Sequence, residues 1–527
     1  MAGSFDVVVV GGGHNGLVAA AYLARAGRRV LVLERRSQPG GAVATEEIAP
    51  GFRGSTGADL CGLLGPEIVA DLNLAARGVQ FLPLDPEVIT LGDGVSLRIW
   101  RDIRRTQAEL AQKSPRDAEA YPRFVAMLRR FALAIDPLLT TTPPNVAAPS
   151  LGEQTGLLRR VLAVRRMGKE AMQQMLRVIP MAVRDLLNEW FETETLKASL
   201  AVDSLIGTFQ GPWSPGTSFG LIHHFVAAAR GSGWTFVRGG MGTLASALAG
   251  AAKDAGVTIR TDAEVTRIRS MAGRVTGVEL ADGEVIGARV VASNADPKRT
   301  FLHLVDPEEL GPEFLLRVRH IEMNGVVAKV ILALDGPPPV PVAENGLPPH
   351  LRIAPSLEYI ERAYDDAKYG SVSEAPFVDV FLPTAVDPDL APAGMHILSA
   401  LVQYAPYALR RGDWTKERDP LADRVVGLLE EHMPGLERRI VGRTVLTPRD
   451  LETRFGLTEG HIYHGEMTLD QSLVLRPVPG WSQYRTPVEG LYLCGSGAHP
   501  GGGITGAPGH NAAREILADW PRLSMGS

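Results

Sequence analysis

The stretch FDVVVVGGGHNG, residues 5–16, decides the fold. Its first half is a continuous β-branched run, the pattern of a strand buried on both faces in a parallel sheet. Three consecutive glycines follow, which cost the most backbone entropy on folding. NGLVAAAYLARAG, residues 15–27, then reads as a tightly packed helix with a glycine stop, and RVLVLE, residues 29–34, as a second buried strand ending in an acid. Gly11, Gly13 and Gly16 match G-x-G-x-x-G. The first glycine permits the tight turn, the second lets backbone approach a pyrophosphate, and the third lets the helix pack on the strand. The helix start, with His14 and Asn15, offers free N–H groups and a positive dipole end to phosphate. Glu34 stands where a carboxylate accepts hydrogen bonds from ribose hydroxyls. Strand, turn, helix, strand and acid in this order predict a dinucleotide site.

RRSQPGGAVAT, residues 35–45, extends that site. Gly40 and Gly41, beside Ala42, give backbone a second close approach, which favours a long cofactor lying across the domain. Arg35 stacks near adenine, meets a phosphate or is simply solvated. NADP is the competing nucleotide, and Glu34 opposes its 2′-phosphate by charge repulsion.

The chain has 527 residues, enough for several domains, with 45% hydrophobic and 21% charged residues, a globular balance. A formal net charge of -5 gives no global attraction for nucleic acid. The two cysteines, Cys61 and Cys494, form neither a disulfide framework nor a redox dithiol, which fits a reducing compartment. No secretory leader is read before the first strand, and no apolar run reaches membrane-spanning length. The expected location is cytoplasmic, with peripheral contact at the inner face of a membrane left open.

GLYLCGSGAHPGGGITGAPGHNAAREILADW, residues 490–520, repeats the strand–turn–helix pattern at the other end of the chain. Gly495, Gly497, Gly501, Gly502, Gly503 and Gly506 suit a turn whose N–H groups face phosphate, ribityl or a ring carbonyl. Both ends must return to one sheet, so the middle carries an inserted domain. Residues 239–268 support this, with a glycine turn, an alanine-rich helix and strands. A further pair of strands surrounds an Asp282-Gly283 hairpin turn. Val265 contacts adenine or is a sheet-core valine. The predicted fold is α/β: a Rossmann-like domain assembled from 1–75, 231–310 and 481–527, with an α+β substrate domain from 76–230 and 311–480.

These segments resemble the phytoene desaturase-related flavin oxidoreductases, within the wider amine-oxidase-like flavoproteins. The resemblance is nearest to the branch holding the β-carotene ketolase-like and the pyridine nucleotide-disulfide oxidoreductase domain proteins. It rests on VVVVGGGHNGLVAAAYLARAG, LERRSQPGGAVATEE, RGGMGTLASALA, VVASNADP and LYLCGSGAHPGGGITGAPGHNAA, and HGEMTLDQSLVLRPVP strengthens it. The resemblance implies FAD held by Gly11, Gly13, Gly16, Glu34, Gly41, Val265, Gly497 and Ile504. An acid often contacts the cofactor in the last turn of this group; Ser496 stands there instead. The paired cysteines of a disulfide reductase are missing. The implied partner is a hydrophobic small molecule, isoprenoid- or carotenoid-like, with O2, a quinone or another compound as electron acceptor. Amine oxidation and a non-catalytic flavoprotein are the alternatives, and a homodimer is the base-rate expectation.

Candidate polar residues near the substrate are His499, His464, Glu466 and Tyr484, with His14, His223, His224 and Tyr404 behind them. They form no triad and no metal set. His464 and Glu466 would share one face of a strand. Residues 157–179 read as a basic amphipathic helix, with Met172, Met175, Leu176 and Ile179 on its apolar side, suited to a membrane surface, a lid or an interface.

Overall fold

The computed structural model describes residues 5–92, 94–145, 167–341 and 346–525. The strand Phe5–Val10 is central in a parallel sheet, and Val7, Val8 and Val9 are fully buried. Val8 pairs with Leu31 of Val30–Leu33 on one side and with Val291 of Val285–Ser293 on the other. Thr258–Arg260 lies beyond Val30–Leu33, and Leu491–Leu493 pairs with Val285–Ser293. Strands from the beginning, middle and end of the sequence therefore share one sheet. Arg274–Leu280 pairs antiparallel with Val285–Ser293 through the Asp282-Gly283 turn, and Val265–Met271 completes the edge.

The helix His14–Arg25 buries alanines, among them Ala19, Ala20 and Ala21, and packs on both Met241–Asp254 and the last helix, Ala507–Met525. Small residues let these backbones approach: a Cβ on Gly509 would stand 2.0 Å from the Asn15 carbonyl oxygen.

A second, seven-stranded sheet runs in the order Ile440–Leu446, Val327–Leu334, His396–Gln403, Phe377–Phe381, His350–Ile353, Val88–Leu91, Ser96–Ile99. Its neighbours are antiparallel except His350–Ile353 with Val88–Leu91. Leu332, Leu398 and Val402 join Val425 and Leu429 of the helix Trp414–His432 in one core. Residues of opposite parity point the other way: Lys329, Leu401, Asp379, Arg352 and Thr90 form one cross-strand row. Helices Pro115–Leu139, Val183–Trp190, Glu194–Leu205 and Thr217–His224 build a further core beside this sheet.

Part of the expected amphipathic helix, 157–166, lies outside the described residues. Its described part, Lys169–Val178, buries Ala171, Met175 and Val178, while Leu176 is 66% exposed. The buried stripe follows i, i+4, i+7, which leaves Leu176 about 100° off it, so the apolar face is narrower than the sequence suggests. No described helix is long and apolar enough to cross a membrane.

The helix contact at Gly509 yields a paired test. Gly509→Ala should lower stability by ~1–3 kcal/mol through overpacking. Gly427→Ala, where an added Cβ meets nothing within 4 Å on the exposed side of Trp414–His432, should raise it by ~0.4–1 kcal/mol. Thermal midpoints that shift in the same direction would refute the packing argument.

Candidate active site

At the carboxyl ends of the parallel strands lies a groove lined by Gly11, Gly13, Glu34, Val265, Asn294 and His464 among others. Gly11 adopts φ +93, the left-handed region that favours glycine. A Cβ on Gly16 would stand 2.3 Å from the Gly11 carbonyl oxygen, so only glycine lets the helix begin this close to the strand. Glu34 is buried at the end of Val30–Leu33; its carboxylate accepts from the Gly12 N–H at 2.8 Å and the Arg36 N–H at 2.9 Å. Asn15 Nδ2 donates to Ser496 Oγ at 3.0 Å, which joins the first and last glycine turns across 481 residues of sequence.

The donor and acceptor inventory of this groove fits a nucleotide. His14, Asn15, Arg299 and His464 all line it. Their His14 Nε2, Asn15 Oδ1, Arg299 Nε and His464 Nδ1 atoms are buried and have no hydrogen-bond partner among the described residues. Four orphaned polar atoms around one concave surface are costly unless a polar ligand meets them. Burial lowers the His14 pKa to about 4, aided by neighbouring His464, and burial also lowers His464, so both imidazoles stay neutral.

A second cavity adjoins the groove. The two share His14, Ala42, Phe455, Leu457, Ile462 and Ser496. Ile206, Trp234, Val327, Phe381, Leu401 and Leu451 make its walls largely apolar. Gly503 and Ile504 reach this cavity rather than the groove, and Ile504 has φ +57.

Arg476 stands behind the shared wall. It is fully buried and donates to the carbonyl oxygens of Ser496 (2.8 and 3.1 Å), Glu466 (3.0 Å), Gln471 (3.2 Å), Tyr463 (2.7 Å) and Gly465 (3.1 Å). Among the described residues no carboxylate pairs with it. Burial lowers its pKa to about 10, which leaves it a cation at neutral pH. One guanidinium thus fastens the segment around 463–471 to the last glycine turn.

Of the residues singled out in the sequence, Gly11, Gly13, His14, Asn15, Glu34, Arg35, Gly41, Ala42, Val265 and His464 line the groove. Gly16, Gly495 and Gly497 lie behind the lining; added Cβ atoms would meet the Asn294 carbonyl oxygen at 2.5 Å from Gly495 and Pro297 Cδ at 2.2 Å from Gly497. The expected strand bearing His464 and Glu466 does not form: the segment is irregular and His464 has φ 59. Arg476 claims its carbonyls, which removes them from any sheet ladder. Glu466 therefore diverges from His464 and accepts from the Phe209 N–H at 3.0 Å and Asn324 Nδ2 at 3.1 Å. Tyr484 donates to the His499 carbonyl at 2.9 Å and accepts from Asn511 Nδ2 at 2.9 Å; His499 Nε2 meets the Leu138 carbonyl at 2.8 Å. Neither residue lines the groove or the cavity. His223 and His224 are adjacent on Thr217–His224, and only His224 reaches the cavity. Tyr404 is buried, donating to the Gln210 carbonyl at 2.5 Å. Sequence reasoning missed Asn294, Arg299, Phe455 and Leu457, and the polar side chains of the second sheet. Asn294 and Arg299 follow the strand Val285–Ser293, whose end position was the available signal.

A nucleotide groove adjoining an apolar cavity suits a flavin-type oxidoreductase. The family profile described as "Flavin containing amine oxidoreductase" matches residues 16–517. The chain is 40% identical to pyridine nucleotide-disulfide oxidoreductase domain-containing protein 2 of Rattus norvegicus, over 98% of this chain and 94% of the relative. It is 31% identical to a limonene dehydrogenase subunit from Castellaniella defragrans, over 98% and 94%. An oxidoreductase of Methanosarcina mazei shares the fold with TM-score 0.63 at 20% identity, over 97% of this chain and 99% of that one. The chain belongs to the flavin-containing amine oxidoreductase family, and its cofactor is FAD.

Burial raises the Glu466 pKa to about 7, with Glu322 adding to the rise. A folded-state pKa above the usual ~4.3 means that the folded chain holds this proton more tightly. The associated stability is present at low pH and is lost as pH rises through about 7. Glu466→Gln should therefore gain thermal midpoint over the unsubstituted protein at pH 8 relative to pH 5. A difference independent of pH would refute the assignment.

Proposed function

We propose that this FAD-dependent oxidoreductase dehydrogenates an apolar, isoprenoid-like molecule bound in the second cavity. The observation that carries the reading is the shared wall: six residues border both the groove and the cavity, so a redox ring at the end of the nucleotide faces whatever the cavity holds. The apolar walls suit a hydrocarbon body. The likeness to a limonene dehydrogenase subunit supports the same class.

In this reading Glu34 holds the ribose, and Val265 lies against adenine. The turn Gly11–Gly13 with His14, Asn15 and Ser496 receives the pyrophosphate and ribityl end. Arg35 and Arg299 supply positive charge along the groove. FAD supplies hydride acceptance when bound. The chain's own task is to hold a substrate C–H against it and keep water out. A hydride from one carbon would pass to the flavin and the proton from its neighbour to the surrounding buffer, leaving a C=C bond between the two carbons. The two electrons pass afterwards to O2, a quinone or another acceptor.

Anaerobic mixing of the FAD-bound protein with a panel of cyclic and acyclic isoprenoids checks this. Bleaching of the oxidised-flavin absorbance and a product two hydrogens lighter are expected for at least one member. Flavin that stays oxidised with every isoprenoid, but bleaches with simple amines, would replace this reading with amine oxidation. Flavin that responds to neither would favour a non-catalytic role.

A further inference from the structure

The apolar cavity has one wall that does not suit a pure hydrocarbon. Lys329, His350, Arg352 and Asp379 project from the second sheet into it, and Asp59 and Asp203 face them from neighbouring segments. Asp59 is 8% exposed, Lys329 1%, Arg352 2% and Asp379 1%. Replacing buried ion pairs by packed apolar groups is often neutral or stabilising, so their retention beside a cavity calls for another reason.

The hydrogen bonds on this wall are unevenly committed. Lys329 spends its three N–H groups on the Ser55 carbonyl (2.7 Å), the Gly57 carbonyl (2.8 Å) and Asp59 Oδ2 (2.8 Å). Arg352 donates to Asp379 Oδ1 (2.6 Å), Asp379 Oδ2 (3.1 Å), Asp203 Oδ1 (2.8 Å) and the Ser199 carbonyl. Both His350 nitrogens face acceptors, the Glu87 carbonyl at 2.9 Å and Asp379 Oδ1 at 3.2 Å. His224 Nδ1 lies 2.6 Å from the Asp203 carbonyl, which only accepts; its Nε2 therefore accepts from the Tyr463 hydroxyl at 3.2 Å. The donors are largely taken. Acceptor capacity is not: a carboxylate offers about four acceptor sites. Lys329 takes one on Asp59, and Arg352 takes one on Asp203, whose side chain is 36% exposed. The Tyr463 oxygen, having given its proton to His224, also accepts.

We infer that the substrate is an amphiphile, an apolar body ending in a hydrogen-bond donor, hydroxyl or ammonium, which seats against Asp59, Asp203 and Tyr463. The inference rests on the cavity being the substrate site and narrows its occupant. A hydrocarbon there leaves the spare acceptor sites of buried Asp59 unused, and a carboxylate finds the N–H groups of Lys329 and Arg352 already taken.

The test titrates FAD-bound protein, anaerobically, with a matched fifteen-carbon set: a branched hydrocarbon, its primary alcohol, its primary amine and its carboxylic acid. Flavin difference spectra and thermal shift report binding. The alcohol or the amine should bind at least tenfold more tightly than the hydrocarbon and the acid. An amine well ahead of the alcohol identifies an ammonium head, and parity or a leading alcohol identifies a hydroxyl. Tyr463→Phe should shrink the preference at least threefold while retaining FAD. A flat order, a leading acid, or no binding by any member overturns the inference. Should the dehydrogenation reading fail instead, flavin would stay oxidised while the binding order held.

Discussion

Everything in this molecule depends on the pairing of Phe5–Val10 with strands on both its flanks. A parallel pair cannot be closed by a tight turn; it needs a long crossover connection. The chain meets that demand by leaving the sheet after Val30–Leu33 and returning at Thr258–Arg260, then leaving after Val285–Ser293 and returning at Leu491–Leu493. The two excursions supply the second sheet and its helices. Because the strands run the same way, their carboxyl ends share one edge. The first turn, Asn294 and the Ser496 turn therefore meet there, and a crevice at that edge follows from the topology.

What the strands bring near, buried polar contacts fasten. The Asn15–Ser496 bond spans the two chain ends, and Arg476 adds a second fastening from behind. A guanidinium with carbonyl partners and no carboxylate is an unusual solution, since it buries a charge without neutralising it. It has a geometric merit. Planar donors on fixed axes hold five separate carbonyls in place, including those next to His464 and Ser496. The same charge also helps to keep His223, His461 and His464 in their neutral forms, secondary to burial itself.

The first half of the site was legible because its chemistry is local. A glycine that would collide with the carbonyl of the preceding turn, or an acid at a strand end, leaves a mark within a short span of sequence. The close approach at Gly16 and the place of Glu34 at a strand end follow from spacing alone, and the return of residues 490–520 to the same sheet followed from the repeated pattern. The cavity was not legible. Lys329, Arg352 and Asp379 come from strands separated by long connections, and what unites them is cross-strand register, which no short motif records. Conversely, Tyr484 and His499 looked available as polar residues near a turn, yet their hydrogen bonds secure the backbone. His464 and Glu466 were separated by a competing demand: Arg476 takes the carbonyls that a strand would have used.

The two halves of the site obey opposite rules, and this separates cofactor from substrate. In the groove, polar atoms are orphaned, as expected where a fixed ligand of known polarity completes them. In the cavity, the charged groups are already paired with one another, so the wall keeps its shape whether or not the cavity is filled. A resident nucleotide can be part of the fold's own hydrogen-bond inventory; a substrate that comes and goes cannot. The pairing of Lys329 with Asp59, and of Arg352 with Asp379 and Asp203, fixes the shape of this wall from within.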